Sequence, residues 1–209
     1  YQKLAVRKIL IVTNHRQIWG LILSGGESRR MGQDKALLKF EGVTQLNKVY
    51  SLLAAHLSQV FISSRNDQSD NDERKKYNQI IDRYDNLGPI AGILSAMQEH
   101  PGVDWLVVAC DLINLDSHTL SYLIENYSAE YDFVAYKSEH DGLPEPLCAI
   151  YGSMAQEIIQ KRLKDKVICP RKILIKSNTY LLSQPNPRAL DNFNTPGDFT
   201  AQNMELNHE

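Results

Sequence analysis

Residues Trp19–Lys35 read WGLILSGGESRRMGQDK. An apolar run ends in two glycines, and a basic, glycine-punctuated stretch follows. A short continuous apolar run bounded by a turn signal predicts a buried strand over Trp19–Leu23. Gly25 and Gly26 let the backbone turn sharply and bring its amides close to an anion without a Cβ in the way. Arg29, Arg30 and Lys35 add positive charge, and Gly32 permits a second tight turn. Amides and cations in this arrangement answer the charges of a polyphosphate. The spacing is neither the GxxxxGK[ST] loop nor the GxGxxG dinucleotide fingerprint. The glycines alone are equally compatible with a plain turn carrying a solvated basic flank.

Outward from this stretch, apolar runs alternate with longer amphipathic ones. Strands are expected at Val60–Ser64, Gln79–Asp82, Trp105–Ala109, Asp132–Lys137, Leu147–Tyr151, Ile173–Ile175 and Tyr180–Leu182. Helices are expected at Leu46–Leu57, Pro89–His100, Asp116–Tyr127, with Asp116 or Ser117 as N-cap, and Ser153–Leu163. Asp67–Tyr77 is highly polar and is expected to be a loop, its charges solvated or closing over a substrate. Strand–helix alternation predicts an α/β fold, a three-layer sandwich with a mostly parallel sheet and helices on both faces. Residues 18–209 are expected to form a single domain, with 1–17 an N-terminal extension of open status. Ligands of such sheets bind outside the carboxyl ends of the strands. The informative loops therefore follow Leu23, Ser64, Asp82 and Ala109.

The 23 Lys and Arg nearly balance the 25 Asp and Glu, giving a net charge of −2. No global basic field marks a nucleic-acid binder, and none is expected as a partner. No apolar run reaches the roughly 18 residues of a membrane span, so no membrane partner is expected either. Cys110, Cys148 and Cys169 form no CxxC pair or Cys/His cluster and are expected to be reduced, mostly buried thiols of a cytoplasmic protein. The histidines show no metal-ligand spacing.

Two single residues carry chemistry by position. Asp111 follows the strand Trp105–Ala109, where a carboxylate could hold Mg²⁺ together with substrate phosphates, or could merely cap the next turn. Lys35 could stabilise charge at a phosphate, or could be a surface lysine at a helix start.

The string LSGGESRRMGQDK resembles the signature loop of the molybdenum cofactor guanylyltransferases, within the GT-A-like nucleotidyltransferases. Further segments match in order: NLGPIAGILSAM at Asn86–Met97, ACD at Ala109–Asp111, EPLCAIY at Glu145–Tyr151 and DNFNTPGD at Asp191–Asp198. The resemblance runs from about Trp19 to about Phe199. It implies a Rossmann-like nucleotidyltransferase fold and transfer of GMP from GTP to molybdopterin or the molybdenum cofactor, with pyrophosphate released. It implies Mg²⁺ on Asp111, and Lys35 with Arg30 as catalytic cations on the phosphates. The nucleotide would be held by Leu23, Ser24, Gly25, Gly26, Lys35, Ser63, Asn66, Asp82, Gly88 and Asp111. Asp82 would accept from guanine N1–H and N2–H₂, which is sound carboxylate chemistry. Glu145, Asn192 and Asn194 would face the acceptor, and handover proteins of the pterin pathway would be partners. One departure stands out: better-known members carry Asn where this chain has Ser63. Arg65, Asn66 or the backbone would then read the base. A cytidylyltransferase acting on the same pterin or on a sugar or polyol phosphate, and a non-catalytic nucleotide-binding module, remain as alternatives.

Overall fold

The computed structural model describes residues 17–25, 34–40 and 42–191. The expected first strand is β1, Ile18–Leu23. A small hairpin follows, β2 (Lys39–Phe40) and β3 (Val43–Thr44), then α1 (Gln45–Ala54), whose N-cap Thr44 accepts from Asn47 N–H. Next come β4 (Val60–Ser64), β5 (Asn78–Ile81), α2 (Pro89–Glu99) and β6 (Asp104–Ala109). The remainder is α3 (Ser117–Glu125), β7 (Phe133–Lys137), β8 (Pro144–Tyr151), α4 (Ala155–Lys164), α5 (Pro170–Ile175) and β9 (Thr179–Leu182). Asp116 caps α3, its carboxylate accepting from Thr119 N–H at 2.7 Å.

The large sheet has the order β5-β4-β1-β6-β8-β7-β9. All neighbouring pairs are parallel except those made by β8, which runs antiparallel to both β6 and β7. The expectation of a mostly parallel sheet holds. β6 is buried along its whole length, which accounts for the unbroken apolar WLVVA.

Successive strand residues feed opposite faces. Ile22, Leu106 and Val108 pack with Leu46, Val49 and Leu53 of α1 and with Leu120 and Leu123 of α3. Leu21, Trp105 and Val107 pack with Ile90, Ile93 and Met97 of α2, with Ile159 of α4, and with Ile173 and Leu174 of α5. Helices thus cover both faces, as a three-layer sandwich requires.

Three local expectations are corrected. Ile173–Ile175 is the end of helix α5, not a strand; Pro170 sits in its first turn, where the missing N–H costs nothing. The strand expected at Leu147–Tyr151 begins earlier, at Pro144, so Glu145 and Pro146 lie inside β8. The polar segment Asp67–Tyr77 is not simply solvated: it forms short 3₁₀ turns at Asn66–Gln68 and Arg74–Lys76, and Arg74 is completely buried.

The chain order around β1 positions the site. From β1 the chain steps outward to β4 and β5, then returns to β1's other edge as β6. This makes a topological switch point between β1 and β6, where a crevice forms at the carboxyl ends of these strands. Among the described residues, no helix is long and apolar enough to cross a membrane.

Candidate active site

A cleft of about 1120 Å³ occupies this crevice. Its walls include Leu23, Ser24 and Gly25 from the end of β1, Ser63 and Asn66 after β4, and Asp82 after β5. Gly88 at the start of α2, Asp111 after β6, and Lys35 also line it. The structure thus gathers these expected nucleotide residues in one place, although they lie on separate loops. Gly26, Arg29, Arg30 and Gly32 fall outside the described residues, as do Asn192 and Asn194.

Lys35 opens a 3₁₀ turn whose N-cap is Asp34; Asp34 Oδ1 accepts from Ala36 N–H at 3.0 Å. Lys35 Nζ lies 3.7 Å from Asp111 Oδ2, and both side chains keep partial exposure to the cleft, 20% and 29%. A cation and a carboxylate that close together, half-solvated, can each turn to an incoming phosphate or metal without leaving a buried charge behind.

Ser24 ends the approach to the loop. Its N–H donates to Ser63 O at 3.3 Å and its hydroxyl to the same carbonyl at 2.7 Å. The Arg74 guanidinium donates to Ser24 Oγ (2.5 Å), Ser24 O (2.9 Å) and Asp34 Oδ2 (2.7 Å). Arg65 donates to Gly25 O at 3.1 Å while its Nε and Nη2 hold Asp67 at 3.0 and 2.9 Å. Sequence reasoning left Arg65 as a base reader and missed Arg74 entirely; both fasten the backbone where the glycine-rich loop begins.

Ser63 is buried, and its hydroxyl donates to Asp82 Oδ1 at 2.6 Å. Burial pushes the Asp82 carboxyl above the usual carboxylate range, offset in part by the Ser63 hydrogen bond and the nearby Arg65 charge. Asp82 Oδ2 lies beside Gly25, 3.4 Å from where a Cβ would sit. Gly92 of α2 is required by the same pair: a Cβ there would meet Ser63 Oγ at 2.2 Å and Ser63 Cβ at 2.8 Å. Asn66 is exposed at the rim. Gly88 adopts φ +54° and ψ −138° as the N-cap of α2, a conformation that excludes side chains and lets Pro89 open the helix facing the cleft.

Glu145 lies on β8, away from the lining of this cleft. Arg171 of α5 donates to Glu145 Oε2 at 2.8 Å and to Asp141 Oδ2 at 3.0 Å. Cys110 sits between Ala109 and Asp111, but burial, followed by the neighbouring Asp111 and Asp34 charges, pushes its thiol up to about 12. So raised, the thiol stays protonated at neutral pH. Cys148 is likewise buried, its thiol pushed up to about 12 by burial, whereas Cys169 is exposed. Among the described residues, no cluster of three or more His, Cys, Asp or Glu could cage a metal. A single strand-end carboxylate still fits Mg²⁺, which typically takes one or two carboxylates with substrate phosphates and waters.

A sheet of this order, with a cleft at the carboxyl ends of β1 and β6, gives the chain the fold of the α/β nucleotidyltransferases. More particularly, the chain belongs to the MobA-like NTP transferase domain family, whose model matches residues 20–179. It is 36% identical over 182 residues to a molybdenum cofactor biosynthesis bifunctional protein of Synechocystis sp.. That match covers 87% of this chain and 52% of the relative, so the chain spans about half that protein's length. A Bacillus anthracis protein named "Probable molybdenum cofactor guanylyltransferase" is 29% identical over 198 residues, covering 91% of this chain and 98% of its own. The crystal structure of molybdopterin-guanine dinucleotide biosynthesis protein A from Archaeoglobus fulgidus shares the fold. The TM-score is 0.75 at 21% identity, covering 91% of this chain and all of that one.

Proposed function

We propose that the protein transfers the GMP moiety of GTP to the terminal phosphate of molybdopterin or its molybdenum-loaded form, giving a guanine dinucleotide cofactor and pyrophosphate. The observation that carries this reading is the meeting of Lys35 and Asp111, 3.7 Å apart, at the mouth of the glycine-rich loop in the β1/β6 crevice. The acceptor phosphate oxygen attacks the α-phosphorus in line. The P–O bond to the β-phosphate breaks, and its electron pair leaves with pyrophosphate. Lys35 and the loop amides stabilise the charge that gathers on the α-phosphoryl oxygens, and Arg30 holds the β- and γ-phosphates. No covalent enzyme intermediate is required. Asp111 would hold Mg²⁺, which when bound neutralises phosphate charge and fixes the triphosphate.

Asp82 supplies the acceptor for the guanine N1–H and N2–H₂ edge, with Ser63 orienting the carboxylate. Glu145, its charge compensated by Arg171, would face the acceptor, as would Asn192 and Asn194. The pterin would be received from, or passed to, other proteins of its pathway. The organisation as a single domain from residue 18, and a cytoplasmic setting, belong to the same proposal.

Calorimetric titration with GTP, CTP, ATP and UTP in Mg²⁺ tests the base assignment. GTP is expected to bind at least about tenfold tighter, equivalent to 1.4 kcal/mol. Preference for CTP would replace the guanylyl reading with the cytidylyl one. Binding of GTP without pyrophosphate release in the presence of pterin acceptor would reduce the protein to a nucleotide-binding module.

A further inference from the structure

We propose that Arg74 is a clasp, a positioning residue that ties the end of β1 at Ser24 to Asp34 and so presents Lys35 to the triphosphate. The inference rests on the reading of the glycine-rich loop as the triphosphate cradle.

Arg74 has 0% exposure, whereas its neighbours Lys75 and Lys76 are exposed. It comes from a segment far away in sequence, yet its Nη1 and Nη2 donors go to Ser24 and Asp34, on either side of residues 26–33. Nη1 and Nη2 reach Ser24 Oγ and O, immediately before Gly25, and Nη2 also reaches Asp34 Oδ2, immediately before Lys35. A planar fork with fixed donor directions can bridge these acceptors at once; an ammonium is a point charge and cannot. Holding Ser24 and Asp34 fixed relative to each other pre-organises Lys35 before a polyphosphate arrives.

Asp34 is committed on both oxygens, Oδ1 to the turn that carries Lys35 and Oδ2 to Arg74. Its charge is answered from inside the protein, and the Lys35 ammonium stands beside Asp111 across the cleft.

The turn bearing Arg74 is itself fastened. Asn71 Oδ1 accepts from the N–H groups of Glu73 and Arg74 at 3.0 and 3.3 Å. Glu73 Oε1 accepts from Thr44 Oγ1, the cap of α1, at 3.4 Å. Tyr77 OH accepts from Asn47 at 2.9 Å, and its ring centroid lies 4.5 Å from that of Tyr50 on α1. The clasp therefore refers Ser24 and Asp34 to α1, a helix packed into the core.

The test uses the full chain with GTP and Mg²⁺ as the probe, comparing wild type with Arg74→Lys, Asp34→Asn and the double variant. Binding is followed by calorimetry, folding by thermal unfolding, and pyrophosphate release by steady-state kinetics. Arg74→Lys is expected to remain cooperatively folded, to weaken GTP binding about tenfold or more, and to leave the KM for the pterin acceptor unchanged. The double variant is expected to be no weaker than the worse single variant, because both changes open one clasp. Should Arg74→Lys fail to fold, Asp34→Asn carries the same expectation, since it keeps the side-chain shape and the Oδ1 acceptor. Variants that bind GTP within about twofold of wild type, or whose losses simply add, overturn the clasp alone. A wild-type chain that binds no nucleoside triphosphate overturns the reading of the loop and the clasp with it.

Discussion

Replacing Gly92 with alanine would place a Cβ 2.2 Å from Ser63 Oγ, 2.8 Å from Ser63 Cβ and 3.1 Å from Leu23 Cδ2. The serine can rotate its hydroxyl away, but only by giving up its 2.6 Å hydrogen bond to Asp82. Rotation does not move Ser63 Cβ, so α2 must also back away from β4. Overpacking costs about 1–3 kcal/mol, and a lost hydrogen bond to a charged group about 1.5–3 kcal/mol. Alanine returns about 1 kcal/mol of helix propensity. The balance is a loss of about 3 kcal/mol, which for a chain of this size lowers Tm by about 6–12 °C. Scanning calorimetry of Gly92→Ala in the wild-type and Ser63→Gly backgrounds forms the cycle. With the serine side chain gone, the two closest contacts disappear and the next is the flexible end of Leu23 at 3.1 Å, so the cost should fall to about 1 kcal/mol or less. An unaltered Tm for Gly92→Ala in the wild-type background would refute the packing argument. So would an equal loss in both backgrounds.

Asp82→Asn separates stability from base recognition. Burial raises the Asp82 carboxyl in the folded state. A raised folded value means that its contribution to stability is present below the unfolded value and is lost as pH rises through the folded one. At neutral pH the ionised carboxylate is therefore a cost, and Asp82→Asn should be the more stable protein there. Its advantage should shrink as pH falls to about 4, measured by urea unfolding, while its GTP affinity drops. A wild-type protein that exceeds Asp82→Asn in stability at neutral pH contradicts the sign. Lys35→Ala should lower kcat for pyrophosphate release by about 10²–10³, with Tm changed little, because the side chain is partly exposed at the cleft. A loss confined to KM would mean that Lys35 binds without stabilising the transition state. Chelation with EDTA should abolish turnover reversibly, and Asp111→Asn should raise the Mg²⁺ concentration needed for half-maximal rate. Unchanged Mg²⁺ dependence in Asp111→Asn would remove Asp111 from the metal.

Much of the cleft was legible because its residues sit at strand ends flagged by strong local signals. The apolar run before Gly25 marked β1, and WLVVA before Asp111 marked the central β6. Pro89 after Gly88 marked the start of α2. Arg74 was invisible for a physical reason. Its burial depends on acceptors fifty and forty residues away in sequence, Ser24 and Asp34, and in the polar run Asp67–Tyr77 it reads like any solvated charge. The role of Ser63 was equally hidden, since only the Gly92 contact and the Asp82 bond explain a small hydroxyl there. The reversed direction of β8 could not be read either, because a strand buried on both faces shows the same apolar run in either orientation. Ile173–Ile175 went astray because three apolar residues in a row carry no period of their own.

Nucleotidyl transfer in the β1/β6 crevice is open to direct test. Its most direct measurement is pyrophosphate release from GTP with Mg²⁺, with and without molybdopterin, in wild type and Asp111→Ala. Release that requires both GTP and the pterin, forms the guanine dinucleotide in equal amount, and disappears in Asp111→Ala is the predicted result. Undiminished transfer by Asp111→Ala, or no release from wild type with any nucleoside triphosphate and the pterin, would contradict it.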